Sequence, residues 1–583
     1  MATRPGLDRF YVGLGTSFHD PAIAVVDSAG EIVFAEASER SVRAKRAVTC
    51  AADLRENVWR IVTGHCDPRA EYVVAKSWSR RATRTLDALS LLGLANHERL
   101  PARRGAPSRF LVDRLDIFAS LWKQHTVNKL SGGHFAEVLA RLGNDRVSYV
   151  DFEHHLTHAA NGCFTSPFDQ AACMVVDGQG EGGSITYYEY RDARLRLVAR
   201  MRGPQSLGLL YSLCTGLCGF DAPGGEDWKM MGLASYGSLD PEIHGTLRSL
   251  VRMNGLTFRY PSGREVRRRV ADMQRWARAE GADVMTVADL AHTAQHFYAE
   301  VMDQLLRNFH SMGLSENLVL VGGCALNSSY NGRIVGRTGF ERLHVPSAPA
   351  DDGNALGAAF LAYRRDHPEA PPPAKVATPY LGSRISERPL DNLIKFGRLA
   401  STRHCPGTVH EEAARLLADG NVVGWIQGRA EFGPRALGNR SILADPRRAD
   451  VRERVNAIVK FREPFRPFAP AILDECGPDY FADYQLSPYM ERTLAWRERA
   501  RIAVPGVVHV DGTGRLQSVR REWNARLYDL LCAFHARTDV PVLLNTSFNT
   551  VGKPIVHSLE EALGLFCTTA MDALVVEDYV IGK

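Results

Sequence analysis

The sequence predicts an α/β protein made of a duplicated α/β unit followed by a second α/β domain. Three observations carry this. Residues 10–36 read as three strands separated by tight turns: FYVGLGTSF is a strand and turn, AIAVVD a second strand, and EIVFAEA, after a Ser-Ala-Gly turn, a third. The same pattern returns near residue 172 as ACMVVDGQGEGGSITYYEY and then LRLVARM. Beyond a proline-rich stretch, DHPEAPPPAKVA at 366–377, the chain carries a further set of apolar strand signals.

A repeated strand–turn–strand pattern predicts two related subdomains with a cleft between them. A glycine-bearing hairpin that leads into a helix is also how actin-like ATPase (ASKHA) folds begin, as in sugar kinases and Hsp70. LVLVGGCALNSSYNGRI at 318–334 extends the theme: a buried strand ends in Gly322-Gly323 and a helix follows. Glycines there let backbone N–H groups approach a phosphate, and the helix dipole favours the anion. With Gly178 in the acidic-glycine turn, these glycines are the expected adenosine-nucleotide contacts. The domains expected are 1–365, a linker at 366–378, and 379–583. Strand and helix signals in the last part include NVVGWIQG, a helix near 449–460, PFAPAIL, VPVLLNTSFN and ALVVEDYVI.

Composition bounds the function. The 583 residues are 45% apolar and 23% charged, which suits a globular protein with substantial cores. A net charge of +5 is small for this length and argues against a dedicated nucleic-acid binder. No signal peptide is legible in MATRPGLDRFYVGLG, and no apolar run reaches the roughly 18 residues of a membrane span, so the expected location is the cytoplasm. The eleven cysteines form no CxxC pair and read as reduced thiols, with Cys214 and Cys218 in a core helix.

In EHHLTHAA, His154 and His158 stand one helical turn apart and share a helix face, so two imidazoles can reach one metal ion. No glutamate separates them, unlike the HExxH of zinc proteases. The same spacing also occurs in ordinary capping or core histidines. Asp177, after the strand MVV, and Asp351, in APADDGNALGAA, both read as strand-to-loop carboxylates beside glycines and would complete a ligand set. Further on, EFGPRALGNRS presents Arg435 and Arg440. KFREPFRPFAP presents Lys460, Arg462 and Arg466. HVDGTGR presents Arg515, and LNTSFN presents Ser547 and Asn549. Cations on proline- and glycine-constrained backbone suit phosphate and carboxylate recognition.

Taken in order, SFHDPAIAVV, EASERSVRAKRA, EHHLTHAA, GGEDWKMMGLASYG, VGGCALN, DDGNALGAA, FGPRALGNRS, KFREPFRPFAP, HVDGTGR and LNTSFN resemble the O-carbamoyltransferases of nodulation and antibiotic biosynthesis over nearly the full length. The resemblance implies an N-terminal ASKHA domain similar to tRNA threonylcarbamoyl transferases and a C-terminal YrdC-like domain. It implies that carbamoyl phosphate and ATP (with Mg2+) form carbamoyl-adenylate in the second domain, and that a hydroxyl of a small natural product accepts the carbamoyl group in the first.

It further implies His154, His158, Asp177 and Asp351 as metal ligands, for Fe2+ or another divalent ion, with the Asp351/Asp352 register open. Arg435, Lys460, Arg466 and Arg515 would neutralise the polyanions, helped by Ser547 and Asn549. His19, with Asp20, would be the general base. Lys45 would contact adenylate or acceptor. Glu226, Lys229 and Asn327 would face the nucleotide cleft. The sequence departs from the family at ERSVRAK and at Asn439 after GPRALG. A homodimer is compatible with the resemblance. The alternatives are an ASKHA-type kinase, distinguished by ADP as product, a tRNA threonylcarbamoyl transferase, and a non-enzymatic Hsp70-like module.

Overall fold

The computed structural model describes residues 8–79, 124–370, 378–399 and 401–583. The core of the linker segment, 371–377, and most of an insert at 80–125 lie outside the described residues. The chain forms two compact units, Met1–Thr165 with Ala348–Lys375, and Ser166–Ser347 with Val376–Lys583.

In the first unit, β1 (Arg9–Gly15), β2 (Ala22–Val26), β3 (Ile32–Ala37), β4 (Glu71–Lys76) and β5 (Val147–Asp151) form a sheet of order β3-β2-β1-β4-β5. β1, β2 and β3 pair antiparallel, whereas β4 and β5 run parallel to β1. Apolar side chains fill both sides of β1 and β2, as expected of a sheet covered on its faces. The helix Asn354–Asp366 lies directly on β1. A Cβ at Gly13 would come 1.7 Å from the backbone oxygen of Ala355, so only glycine permits this approach.

The second unit opens with β6 (Gln170–Val176), β7 (Ile185–Arg191) and β8 (Arg194–Met201). A small hairpin follows, β9 (Arg252–Asn254) with β10 (Thr257–Arg259), and then β11 (Asn317–Val321) and β12 (Arg342–His344). The order β12-β11-β6-β7-β8 repeats that of the first sheet: three antiparallel strands, then two parallel to the first. The duplication legible in the sequence is therefore a duplication of topology, and the arrangement is that of the ASKHA fold. The helix Leu207–Leu217 buries Cys214, and Cys218 just beyond its end is buried too, as expected of core thiols.

The same unit continues with a sheet of order β13-β21-β20-β14-β15-β19-β16-β18-β17. Its strands are β13 (Ser401–His404), β14 (Val423–Ile426), β15 (Arg440–Ala444), β16 (Ala469–Leu473), β17 (Arg492–Ala495), β18 (Thr513–Val519), β19 (Val542–Ser547), β20 (Ala573–Val576) and β21 (Tyr579–Gly582). It has its own apolar core, which includes Trp425, Trp496, Phe534 and Leu543. ALVVEDYVI is a hairpin of two strands, turned at Glu577 with φ +48°. The acidic Glu-Asp pair interrupts what reads as one apolar run.

Candidate functional site

In the first unit the parallel strands aim their C-terminal ends at one edge, where α/β proteins place their ligand sites. His19 and Asp20 follow β1, and the helix His154–Phe164 follows β5. Glu153 caps that helix by accepting the Leu156 N–H at 2.8 Å. Its first turn buries His154 and His158 completely. Asp351 reaches the same edge differently from the expectation. It is not at a strand end but opens a 3-10 turn (Asp351–Gly353) leading into the helix on β1, with β12 already ended at His344. The glycine after the carboxylates belongs to a helix start, which a strand-to-glycine reading cannot distinguish.

Asp351 Oδ1 lies 3.2 Å from His158 Nε2 and 3.5 Å from His154 Nε2, and Asp351 Oδ2 lies 3.6 Å from His19 Nδ1. Of the two aspartates, Asp351 faces the imidazoles, while Asp352 Oδ1 accepts the Gly353 N–H at 3.0 Å. Burial pushes the Asp351 carboxyl up, but His154, His158 and His19 hold it well below the usual carboxylate range. Asp352 has no such relief; burial, Asp20 and Glu39 push it up to about 8. Two imidazole nitrogens and a carboxylate oxygen converging on a dry point are a donor set suited to a divalent transition metal.

His19 Nδ1 is 2.9 Å from Asp20 Oδ2. Asp20 is also held by Arg46 Nε at 3.2 Å, while Lys45 is exposed on the short turn Lys45–Ala47. Sequence reasoning missed Arg46, which RAKRA contains beside Lys45. It also missed Asn354, whose Nδ2 lies 3.1 Å from His158 Nε2.

In the second unit, Asp177 stands just beyond β6, and the Gly323 N–H donates to its Oδ1 at 3.0 Å. Gly322 has φ +94°, and a Cβ there would meet the Val176 carbonyl oxygen at 2.2 Å, so the turn demands glycine. At Gly178 a Cβ would meet nothing. Asn327 caps the helix Ser328–Ile334 by accepting the Tyr330 N–H at 3.1 Å and pairs with Gln295. Its amide is therefore engaged within the fold.

The three arginine-bearing motifs and LNTSFN, far apart in sequence, converge for a topological reason. β15, β19, β16 and β18 are consecutive neighbours, with pairings Ser441↔Ser547, Ala469↔Asn545 and Ala471↔Gln517. The start of β15, the end of β19 and the starts of β16 and β18 therefore share one sheet edge. Arg435, Arg462, Arg466, Arg515, Ser547 and Asn549 all belong to this edge.

Their states differ. Arg435 and Arg515 make no hydrogen bond among the described residues, and the Arg515 Nε is buried. Burial holds the Arg435 guanidinium down to about 10, and burial with the charges of Arg435, Arg462 and Arg466 holds Arg515 well below its usual range. Arg462 falls to about 9 through burial and Arg466. It donates to Asn456 Oδ1 at 2.8 Å. Arg466 stacks 4.0 Å from the Trp228 ring and lies 3.3 Å from Glu463. Lys229 bridges Glu226 at 2.6 Å and Glu463 at 2.9 Å. Burial raises Glu463, but Lys229, a backbone N–H and Arg466 bring it down to about 2.

Two cations depart from the expectation of anion contact. Arg440 is fully buried and donates to the carbonyls of Ser383, Gln427, Gly428 and Asn439 at 2.8–3.1 Å. A strand residue buried under its own loop binds the loop rather than a ligand. The buried Lys460 ammonium donates to Ser547 Oγ at 3.2 Å, Asn549 Oδ1 at 2.9 Å and the carbonyls of Ser547 and Asn549. It organises the NTSFN turn. Glu431, missed in the sequence, shapes the neighbouring turn: its Oε1 accepts the N–H groups of Leu437, Asn439 and Arg440 at 2.8–3.1 Å. A lone glutamate before a Gly-Pro turn carries no signal of this.

A nucleotide-type fold leaves the chemistry open, but guanidinium groups gathered at one end of the nine-stranded sheet, of which only that of Arg466 pairs with a carboxylate among the described residues, suit the binding of an anionic substrate. The sequence matches the family description "Carbamoyltransferase N-terminus" over residues 11–360 and "Carbamoyltransferase C-terminus" over 414–583. Among its relatives are an uncharacterized protein of Synechocystis sp., 36% identical over 77% of this chain and 79% of that protein, and the nodulation protein NolO of Bradyrhizobium diazoefficiens, 34% identical over 74% and 78%. A 3'-hydroxymethylcephem-O-carbamoyltransferase of Amycolatopsis lactamdurans is 29% identical over 76% of this chain and 81% of that one. The chain belongs to the carbamoyltransferase family and is an enzyme of that class. Among the described residues no helix is long and apolar enough to cross a membrane.

Proposed function

We propose that the protein is an ATP-dependent O-carbamoyltransferase working in two half-reactions. In the YrdC-like region, water displaces phosphate from carbamoyl phosphate and leaves carbamate. A carbamate oxygen then attacks the α-phosphorus of ATP, supplied with Mg2+, and the bond to the β-phosphate breaks to release pyrophosphate. In the ASKHA region the acceptor hydroxyl attacks the carbonyl carbon of the carbamoyl-adenylate, AMP leaves, and the hydroxyl proton passes to a base.

The observation that carries this reading is the arginine basin. Two polyanions must be brought together, and fixed cations cost no reorganisation when charge moves between them. Arg435 and Arg515 have hydrogen-bond capacity to give, and Arg462 and Arg466 add charge. Lys460 holds the turn from which Ser547 and Asn549 contact phosphate or the carbamoyl group. Glu226 and Lys229 brace this arrangement through Glu463. Gly178, Gly322 and Gly323 serve the adenylate at the ASKHA turns, near the Asn327 cap.

For transfer, His19 takes the proton. Asp20 at Nδ1 leaves Nε2 as the basic atom. Lys45 contacts adenylate or acceptor. His154, His158 and Asp351 would hold a divalent ion, Fe2+ or another, which supplies Lewis acidity or a phosphate anchor when bound. The acceptor is a hydroxyl of a small natural product, and the enzyme works in the cytoplasm, as a homodimer by analogy with the family.

Purified protein with α-labelled ATP, carbamoyl phosphate and hydroxylated acceptors tests the reading. AMP and pyrophosphate should form only with carbamoyl phosphate, should vanish in Arg435→Ala, and an acceptor should gain one carbamoyl mass. ADP as product would overturn it in favour of a kinase.

A further inference from the structure

We propose a second metal site, for a zinc-class divalent ion, on the outer helices of the second unit: His244, His296 and Glu300. It is independent of the reaction and of the histidines around Asp351.

His296 and Glu300 are i and i+4 on the helix Ala288–His310 and so share one face. His244 comes from the neighbouring helix Pro241–Leu250. The three side chains offer one ligand atom each, all within 4.8 Å of one another. The closest pair is His244 Nε2 and Glu300 Oε2 at 2.8 Å, and the two imidazole centroids are 5.5 Å apart. Zinc bonds of about 2.0–2.2 Å to nitrogen and oxygen place tetrahedral ligands roughly 3.3 Å apart, a value these separations bracket. His296 is exposed and can close the remaining gap by a rotamer adjustment.

The alternative is a plain His244–Glu300 ion pair. It accounts for two of the three groups and leaves His296, which makes no hydrogen bond among the described residues, unexplained.

The scaffold is also pre-ordered. Pro241 starts the His244 helix, and Asp240 caps it by accepting the Glu242 and Ile243 N–H groups at 2.8 and 3.1 Å. The Asp240 N–H in turn donates to Thr293 Oγ1 at 2.9 Å, which ties this helix start to the helix bearing His296 and Glu300. Arg248 Nε lies 3.4 Å from Glu300 Oε1, so one carboxylate oxygen is held from outside while the other faces the imidazoles. Ligating carboxylates are oriented in this way.

Two nitrogens and one oxygen leave a fourth position for water. The set selects zinc, nickel or copper over magnesium or calcium, which need oxygen shells. A bound ion would fasten the two helices together.

The test is zinc binding by chelator-stripped full-length protein, with bound equivalents counted and affinity measured by calorimetry. His296→Ala and Glu300→Gln should each lose one equivalent, or weaken one by more than the roughly 10- to 100-fold that loss of an outer partner costs. A His154→Ala/His158→Ala protein should keep that equivalent. Zinc should raise the melting temperature of wild type more than that of His296→Ala, both variants melting alike without metal. Equal equivalents and affinities in wild type and His296→Ala, or an equivalent lost only with His154 and His158, would overturn the proposal.

Discussion

Replacing Trp228 tests whether the ASKHA half helps to build the anion basin of the carboxy-terminal sheet. Trp228 lies on the helix Asp227–Leu233, and its ring is 4.0 Å from the guanidinium of Arg466 in KFREPFRPF. The Arg466 side chain is only 16% exposed, so the stack is largely desolvated. Such a contact contributes between about 0.5 kcal/mol at an open surface and about 2 kcal/mol when dry. Arg466 keeps Glu463 at 3.3 Å in the variant, so its charge is not stranded and the loss is bounded by the stack. An expected 1–2 kcal/mol, taken as about 5- to 30-fold in affinity, should appear in Trp228→Ala. Trp228→Phe, with a smaller ring in the same place, should recover part of it. The assay is the KM for carbamoyl phosphate in the AMP-forming half-reaction, with kcat and the melting temperature measured in parallel. An unchanged KM in Trp228→Ala, with Arg466→Met defective, would refute the idea that the stack positions the arginine.

Three other perturbations have defined outcomes. Glu431→Gln removes the charge that holds three backbone N–H groups beside Arg435; charge-assisted bonds are worth about 1.5–3 kcal/mol, so denaturant unfolding should lose a similar amount and phosphate affinity should fall with it. Arg435→Met should weaken phosphate binding followed by calorimetry by about 1.5–3 kcal/mol, the worth of a charge-assisted contact, because Arg435 makes no hydrogen bond among the described residues that would hold it elsewhere. Unchanged affinity would contradict it. Gly13→Ala should cost about 3 kcal/mol or more, since the new Cβ meets the backbone of the helix Asn354–Asp366 rather than a movable side chain; a melting temperature equal to wild type would show that the helix can shift freely.

Much of this organisation was legible in the chain. Short apolar runs between tight turns marked β1 to β3 and β6 to β8, and Gly322-Gly323 was readable as a strand end, where the structure shows a positive φ with a carbonyl behind it. His154 and His158 were recognisable from spacing alone, since helix geometry converts i, i+4 into a shared face. Other residues left no trace. Arg440 and Arg435 look alike in GPRALGNR, yet one is buried under four carbonyls and the other is without a hydrogen bond among the described residues. Glu431, Glu463 and Trp228 act through partners that no local pattern names.

What the sequence determined by itself was therefore local and periodic: strands, turns, the duplicated unit, the helical histidine pair and the stock of cations. Only the tertiary structure decided which of these meet. The pairing of β15, β19, β16 and β18 brings segments more than a hundred residues apart to one sheet edge, and the helix on Gly13 delivers Asp351 to the histidines. Hydrogen-bond and burial demands then sort similar side chains into those that hold the scaffold and those left to bind. That sorting depends on where strands lie in a sheet, which is a property of long-range pairing and not of neighbouring residues.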